Sequence, residues 1–305
     1  MSDEEDRIAK WNRIPTQDEI DARLYNSRVP SIMLNKTAMP DGPGAPGCWF
    51  GGEPTLPPNI EWPYRPALFD APSFPMHFLL QLDLTQVPRL AAYPDIPTTG
   101  TLFFFVEPLV APLWGAILDG GYVIYVEDDV STQASRPMPP LPDLSSHADL
   151  WSSDLTDATK GRGFKPWNLD FLVYEGYAAP NYHTDNDASL LHQAIRGSGG
   201  KVQDVLEAQT ADRRILTDGS QEFVPHYLFG NIRFQTEWQL PDRTQLSPID
   251  LAIPTDEPPR KLLAVAADED FGYLPLHDGW IEYWIAAEDL RSRDFDKTFF
   301  VLRRN

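Results

Sequence analysis

Short apolar runs separated by long, proline-punctuated stretches set the pattern of this chain. Phe78–Leu84 (FLLQLDL) is continuous apolar sequence broken only by Gln81 and Asp83, and Thr101–Val106 (TLFFFV) opens directly after Gly100. Runs of this length, rich in aromatic and branched residues and bounded by turn residues, predict buried central strands. The same reasoning predicts strands at Val29–Leu34, at Tyr122–Val126 behind Gly120-Gly121, and later at Tyr227–Phe234, Leu262–Ala266, Ile281–Ile285 and Phe299–Leu302.

Helical periodicity is scarce by comparison. Thr16-Gln-Asp-Glu19 forms a capping box ahead of Ile20 and Leu24, which predicts a helix ending near Ser27. Asp187 can cap a second through Ile195, and Lys201–Ala211 is a third candidate after Gly197-Ser-Gly-Gly200. From Gly52 to Pro75 proline recurs too often for regular structure, and 145–176 carries no clear period.

Two parts of the chain follow the same order of landmarks. Phe50-Gly51-Gly52, Glu61-Trp62, the Leu79–Asp83 run, Gly100 and Leu102–Val106 are echoed by Phe229-Gly230, Glu237-Trp238, Leu262–Ala266, Gly279 and Ile281–Ile285. The expected fold is therefore α+β: mostly antiparallel, sheet-rich halves related by internal duplication, with few helices and many proline-rich loops. The boundaries that follow are an N-terminal helical extension (1–30), a first sheet-rich half (31–143), a connector with helices (144–220) and a second half (221–305), with 31–305 forming one unit.

Composition then narrows the function classes. In 305 residues, 42% hydrophobic and 12% aromatic content is that of a chain able to bury a core, while 30 prolines, about twice the usual ~5%, argue against long helices. A net charge of −20 opposes nucleic-acid binding and anionic membrane surfaces, both of which need clustered cations, and favours basic partners. Cys48 is the only cysteine, so no intramolecular disulfide or thiolate metal site can form, and a structural role is expected for it. An acidic N-terminus and the lack of a long apolar stretch make the cytoplasm the expected compartment.

In the order of these motifs the chain resembles the YwqG-like family, bacterial proteins of unknown function. Gly51-Gly52-Glu-Pro54-Thr-Leu56-Pro57 with Trp62-Pro63 is similar to the family's GGxPxLP…WP segment, and Phe78–Leu84 with Val87-Pro88 to its FLxQIDLxxLP segment. His226-Tyr-Leu-Phe-Gly230 with Gln235 resembles HxLLG…Q, and Asp268-Glu269, Gly272, Gly279 and Tyr283-Trp284-Ile285 resemble DSDE…G…GxLYFWI, with Asp289-Leu290 and Phe295-Asp296 completing the tail. The resemblance spans about residues 31–302. This chain departs from the family at Ala264 and Ala266, where the second-half glutamine and aspartate are missing, and at Pro275-Leu276-His277, so that His277 or Asp278 would have to replace the missing aspartate.

No catalytic constellation emerges. There is no GxSxG elbow; Asp270-Phe271-Gly272 lacks the other kinase motifs, Gly197–Lys201 lacks phosphate-loop spacing, and Glu127-Asp128-Asp129 reads as a solvated run. His226, His277, Asp268, Asp270 and Asp278 could in principle converge on a divalent cation, but no HxH or HExxH spacing supports it, so neither metal nor cofactor is expected. Gln81 and Asp83 interrupt an apolar strand and must find hydrogen-bond partners, in the proline-rich loop around Trp62 or on a ligand. Trp62, Trp238 and Trp284 could line a pocket or fill a core. The candidate ligand-binding residues are Trp62, Gln81, Asp83, His226, Gln235, Asp268, His277 and Asp278.

Two functions are carried forward. The first is a non-enzymatic protein-binding module that engages a basic partner, an immunity or antidote protein being one form of it. The second is an enzyme or small-molecule-binding protein with its site in the cleft between the two halves.

Overall fold

Each apolar run contains a strand in the computed structural model, which describes residues 28–37, 47–67, 72–107, 120–143, 163–177, 226–230, 259–268, 270, 272 and 280–303; of the run predicted at Tyr227–Phe234 the strand ends at Leu228, and 231–234 lie outside the described residues. The helices expected at 16–27, 187–195 and 201–211 lie outside the described residues, as do Gln235, Trp238, His277 and Asp278. In chain order the strands are β1 (Arg28–Thr37), β2 (Cys48–Phe50), β3 (Tyr64–Arg65), β4 (Phe74–Pro75), β5 (His77–Asp83) and β6 (Thr101–Val106). Then come β7 (Gly121–Val126), β8 (Trp167–Tyr177), β9 (His226–Leu228), β10 (Arg260–Ala266), β11 (Trp280–Ile285) and β12 (Phe299–Arg303).

Ten of these strands form one sheet, in the order β12-β11-β10-β9-β1-β8-β2-β5-β6-β7, while β3 and β4 make a separate two-stranded ribbon. Every pairing with a described register is antiparallel, for example Leu82 opposite Leu102 and Val265 opposite Ile281. Alternate residues of a strand face opposite sides, which explains why β6 is apolar from Leu102 to Val106. Leu102, Phe104 and Val106 enter the inner core with Leu80, Leu82, Leu228 and Val265, whereas Phe103 and Phe105 join an outer layer with Phe78 and Ile124. The irregular proline-rich segment covers that outer layer with Leu56 and Trp62.

The two edges of the sheet come together, leaving a nearly closed barrel. Tyr283 on β11 donates its hydroxyl hydrogen to the Phe105 carbonyl at 2.8 Å. A Cβ at Gly121 would stand 2.6 Å from both Phe300 Cδ2 and Tyr283 Cε1, so the closest approach of β7 to β12 requires glycine. Closure removes the exposed edges that an open sheet has to protect.

The expectation of an α+β fold built from two related halves is corrected by this sheet. Among the described residues there is one α-helix, α1 (Ala287–Ser292), and one 3-10 turn, Phe295–Lys297. A sheet that curls onto itself buries its own inner faces and needs no helical layer. The repeated strand–loop–strand pattern reflects two meanders, β5-β6-β7 and β10-β11-β12, at opposite ends of a single sheet, each supplying the same inward face. Four strands fell in segments with no predicted element, two of them, β3 and β4, pairing as a short ribbon inside the proline-rich stretch that was expected to hold no regular structure. β2 is only three residues long, too short to show a period, and β8 carries its signal as Trp167, Leu169 and Phe171 on one face, against the inner core.

The chain divides into two compact units, one comprising Met1–Val29, Glu175–Val224 and Asn231–Leu240, the other Pro30–Tyr174, Pro225–Gly230 and Pro241–Asn305. The described residues fall almost wholly in the second. Among them, no helix is long and apolar enough to cross a membrane.

Candidate functional site

Strand parity puts Ile32, Leu34 and Lys36 on one face of β1, so a lysine continues a row that is otherwise core. His226 opens β9 directly opposite Leu34, and Asp268 lies just beyond the end of β10. These three residues meet. Lys36 Nζ stands 2.5 Å from Asp268 Oδ2, and His226 Nε2 is 3.0 Å from the same oxygen. Asp268 Oδ1 accepts the backbone N–H of Asp270 at 3.0 Å, and the Asp270 carboxylate holds Lys36 at 3.2 Å. Aromatic rings border the cluster: Phe50 meets the His226 imidazole edge to face at 4.9 Å, and Lys36 lies 5.1 Å over the Trp167 ring.

Burial dominates the electrostatics. It drives the His226 pKa below the usual histidine value, with Asp268 opposing that shift and Lys36 reinforcing it. The imidazole is therefore neutral at pH 7 and donates Nε2–H to the carboxylate. Burial would raise the Asp268 pKa, but hydrogen bonds from His226 and Lys36 and the field of the ammonium hold it well below the ordinary carboxylate range. Because His226 is neutral, Lys36 is the charge that keeps Asp268 ionised.

His226 is 0% and Asp268 2% exposed, while the Lys36 side chain reaches the surface at 14%. The arrangement ties β1, β9 and the exit of β10 together through one carboxylate. Its imidazole lies beneath the surface against Phe50. Among the described residues, no group of three or more His, Cys, Asp or Glu side chains could hold a metal ion.

The other predicted site residues within the described chain lie elsewhere. Trp62 is buried, donating its indole N–H to the Met76 carbonyl at 2.9 Å and meeting Phe105 edge to face. Gln81 Oε1 accepts the Thr55 backbone N–H at 2.9 Å and lies 3.1 Å from its hydroxyl, so its acceptor serves the proline-rich loop. Asp83 closes its own turn through Thr85 N–H at 2.9 Å and Gln86 Nε2 at 2.8 Å. The fold thus joins His226 to Asp268, leaves Trp62 and Gln81 with the outer proline-rich loop, and leaves Asp83 in its own turn after β5.

Lys36 was not singled out in the sequence, although a lone lysine on the inward parity of an apolar strand was the available signal. A second unanticipated pair, Lys261 and Glu282, is buried at 3.7 Å, with the Trp284 indole N–H on Glu282 at 3.0 Å.

One surface gathers charge from distant parts of the sequence. β7 runs into Glu127-Asp128-Asp129, all exposed, and the α1–3-10 segment packs beside it, with Tyr122 donating its hydroxyl hydrogen to Asp296 at 2.9 Å. The cations there are already engaged, Arg293 by Glu127 at 2.5 Å and Lys297 by Asp289 at 2.8 Å and Asp294 at 3.2 Å. Burial, with the hydrogen bond and charge of Asp296, pushes the Tyr122 hydroxyl up to about 12.

Residues 49–303 match a family model described as a domain of unknown function, DUF1963. No curated protein matches the chain.

Proposed function

The chain belongs to the family of that domain of unknown function, and from this premise we propose that it is a non-enzymatic binding module whose acidic edge takes up a basic protein surface. The observation that carries this reading is the junction of β7 with the α1–3-10 segment. Glu127-Asp128-Asp129 and, from the α1–3-10 segment, Asp294 and Asp296 meet there, while Arg293 and Lys297 are occupied by internal pairs. On a chain of net charge −20, such an edge raises the encounter rate with cationic partners and gives binding that weakens with salt. An antidote that caps a basic toxin is one form of this module. The finer assignment to the YwqG-like proteins rests on the ordered motifs from Gly51 to Asp296 and is part of the same proposal. The cytoplasm is the compartment it presumes.

The test is native co-purification at low salt, followed by titration of the recovered partner into the wild type and into Asp128→Asn/Asp129→Asn/Asp294→Asn. A stoichiometric basic protein whose affinity falls with salt, and falls at least about tenfold in the triple variant, supports the reading. Recovery of no partner, or of one indifferent to salt and to the variant, overturns it.

The alternative placed a small-molecule site in a cleft between two halves, and that cleft disappears with the halves. A cavity beneath the β5–β6 connection favours small-molecule binding at a different place.

A further inference from the structure

Between β5 and β6 the chain makes no tight turn. It runs from Leu84 to Gly100 and folds over a cavity of about 330 Å³, walled by Leu84, Val87, Leu90, Ile96, Tyr93 and, from the end of β9, Phe229. Small-molecule sites occupy ~300–1,000 Å³, and an apolar cavity of ~150 Å³ holds one benzene. The space therefore suits a body of about two fused rings.

The walls are tied in place by the chain's own hydrogen bonds. Tyr93 N–H bonds the Leu90 carbonyl at 3.0 Å and Ile96 N–H bonds the Tyr93 carbonyl at 3.3 Å. Arg89 Nη2 crosses the loop to the Thr98 carbonyl at 2.7 Å. Pro88, Pro94 and Pro97 fix the backbone between these ties. A pocket held in this way loses little freedom when it is filled.

Phe229 shows that the wall is held against a local preference. Its φ is 59°, a left-handed conformation that bulky residues rarely adopt, and Gly230 follows at φ 65°. Two contacts enforce it: the Phe229 ring stacks on Tyr93 at 5.1 Å, and Gly230 N–H donates to the Tyr93 hydroxyl at 2.8 Å. Strain of this kind persists where surrounding structure overdetermines it, and it concentrates at ligand sites.

The polar feature of the cavity is Arg89. This chain has 45 acidic residues against 25 basic ones, yet Arg89, exposed and lining the cavity, has no carboxylate partner among the described residues. One of its donors is used on Thr98, and the others remain for a planar anion, the geometry a guanidinium fits best.

We propose that this cavity binds a small apolar monocarboxylate, its body between Phe229 and the Leu84, Leu90 and Ile96 wall and its carboxylate on Arg89. The inference is independent of the basic-partner reading, since it rests on a different surface and a different charge.

The test uses the full-length protein, naphthalene-2-carboxylate and its neutral counterpart 2-naphthylmethanol, with calorimetric titration. One carboxylate should bind per chain. Ala91→Trp, which fills the cavity, should abolish binding of both probes. Arg89→Met should weaken the carboxylate by about tenfold or more and leave the alcohol unchanged. Failure of the wild type to bind the carboxylate at millimolar concentration overturns the proposal, as does binding that survives Ala91→Trp. Equal affinity for both probes with no effect of Arg89→Met overturns the assignment of the carboxylate to Arg89. Circular dichroism of Ala91→Trp separates a filled cavity from an unfolded chain, and if that variant is unfolded, Leu90→Trp takes its place under the same criteria.

Discussion

Asp268→Asn removes one charge from the clasp between β1, β9 and β10 and changes almost nothing in volume. The carboxylate is 2% exposed and accepts from Lys36, His226 and the Asp270 N–H at once, so the variant leaves a buried imidazole and an ammonium without their anion. Breaking a buried pair by removing one partner costs ~3–5 kcal/mol. The low end, about 3 kcal/mol, applies because Lys36 keeps Asp270 at 3.2 Å and is itself 14% exposed. The pH dependence has a definite sign. His226 has a folded pKa below its unfolded value of 6.5, so the unfolded chain binds the extra proton and stability falls as pH drops below 6.5. Asp268 is depressed from 3.8, so its contribution is complete above that pH and is lost further into acid as its folded pKa is approached. Urea denaturation followed by circular dichroism, at pH 7.5 and in steps down to pH 4.5, measures the cost of Asp268→Asn and the His226 titration, the Asp268 titration lying below this range. The wild type should lose stability over this range with a slope approaching ~1.4 kcal/mol per pH unit, and His226→Gln should flatten it. In addition, Lys36→Met/Asp268→Leu should be less damaging than the sum of the single changes, since an apolar pair leaves no uncompensated charge. If Asp268→Asn leaves the urea midpoint unchanged and His226→Gln keeps the acid slope, the clasp is not what joins these strands.

Three further outcomes are expected. Gly121→Ala should destabilise by about 1–3 kcal/mol through overpacking, because its Cβ would stand 2.6 Å from Phe300 and Tyr283, and a thermal scan against the wild type reads this directly. Gly51→Ala should be far more damaging than Gly163→Ala: both glycines have positive φ, but a Cβ at position 51 overlaps the Lys165 carbonyl while one at 163 meets nothing within 4 Å, and equal losses in a urea titration would refute this. Burial, opposed by the Asp83 backbone hydrogen bond, pushes the Cys48 thiol up to about 12, so an aromatic disulfide reagent at pH 8 should label it only after denaturant is added.

Much of the sheet was legible along the chain. β6 was readable to the residue, because a strand buried on both faces is apolar at nearly every position, and β5, β7, β10 and β11 were readable to within two residues. β2 was not, since three residues carry no period, and its place between β8 and β5 depends on partners from distant sequence. His226 and Asp268 were both among the predicted site residues, yet nothing in one dimension showed that they touch, or that a lysine from β1 shares the same carboxylate. Gln81 carried the complementary lesson. A polar residue inside an apolar strand signals a required partner, but only the covering loop reveals that Thr55 is that partner.

What the sequence by itself determined is therefore local: strand-forming runs, proline-rich interruptions, the polar residues that need partners, and an acidic field. What the tertiary structure decided is closure. Whether two sets of similar strands form two bodies or one sheet depends on the contact between its edges, where Gly121 admits Phe300 and Tyr283 and the Tyr283 hydroxyl reaches Phe105. The Tyr283–Phe105 bond joins residues 178 positions apart. Strand propensity and periodicity act over a few residues, so no local pattern can encode which distant edge will meet which.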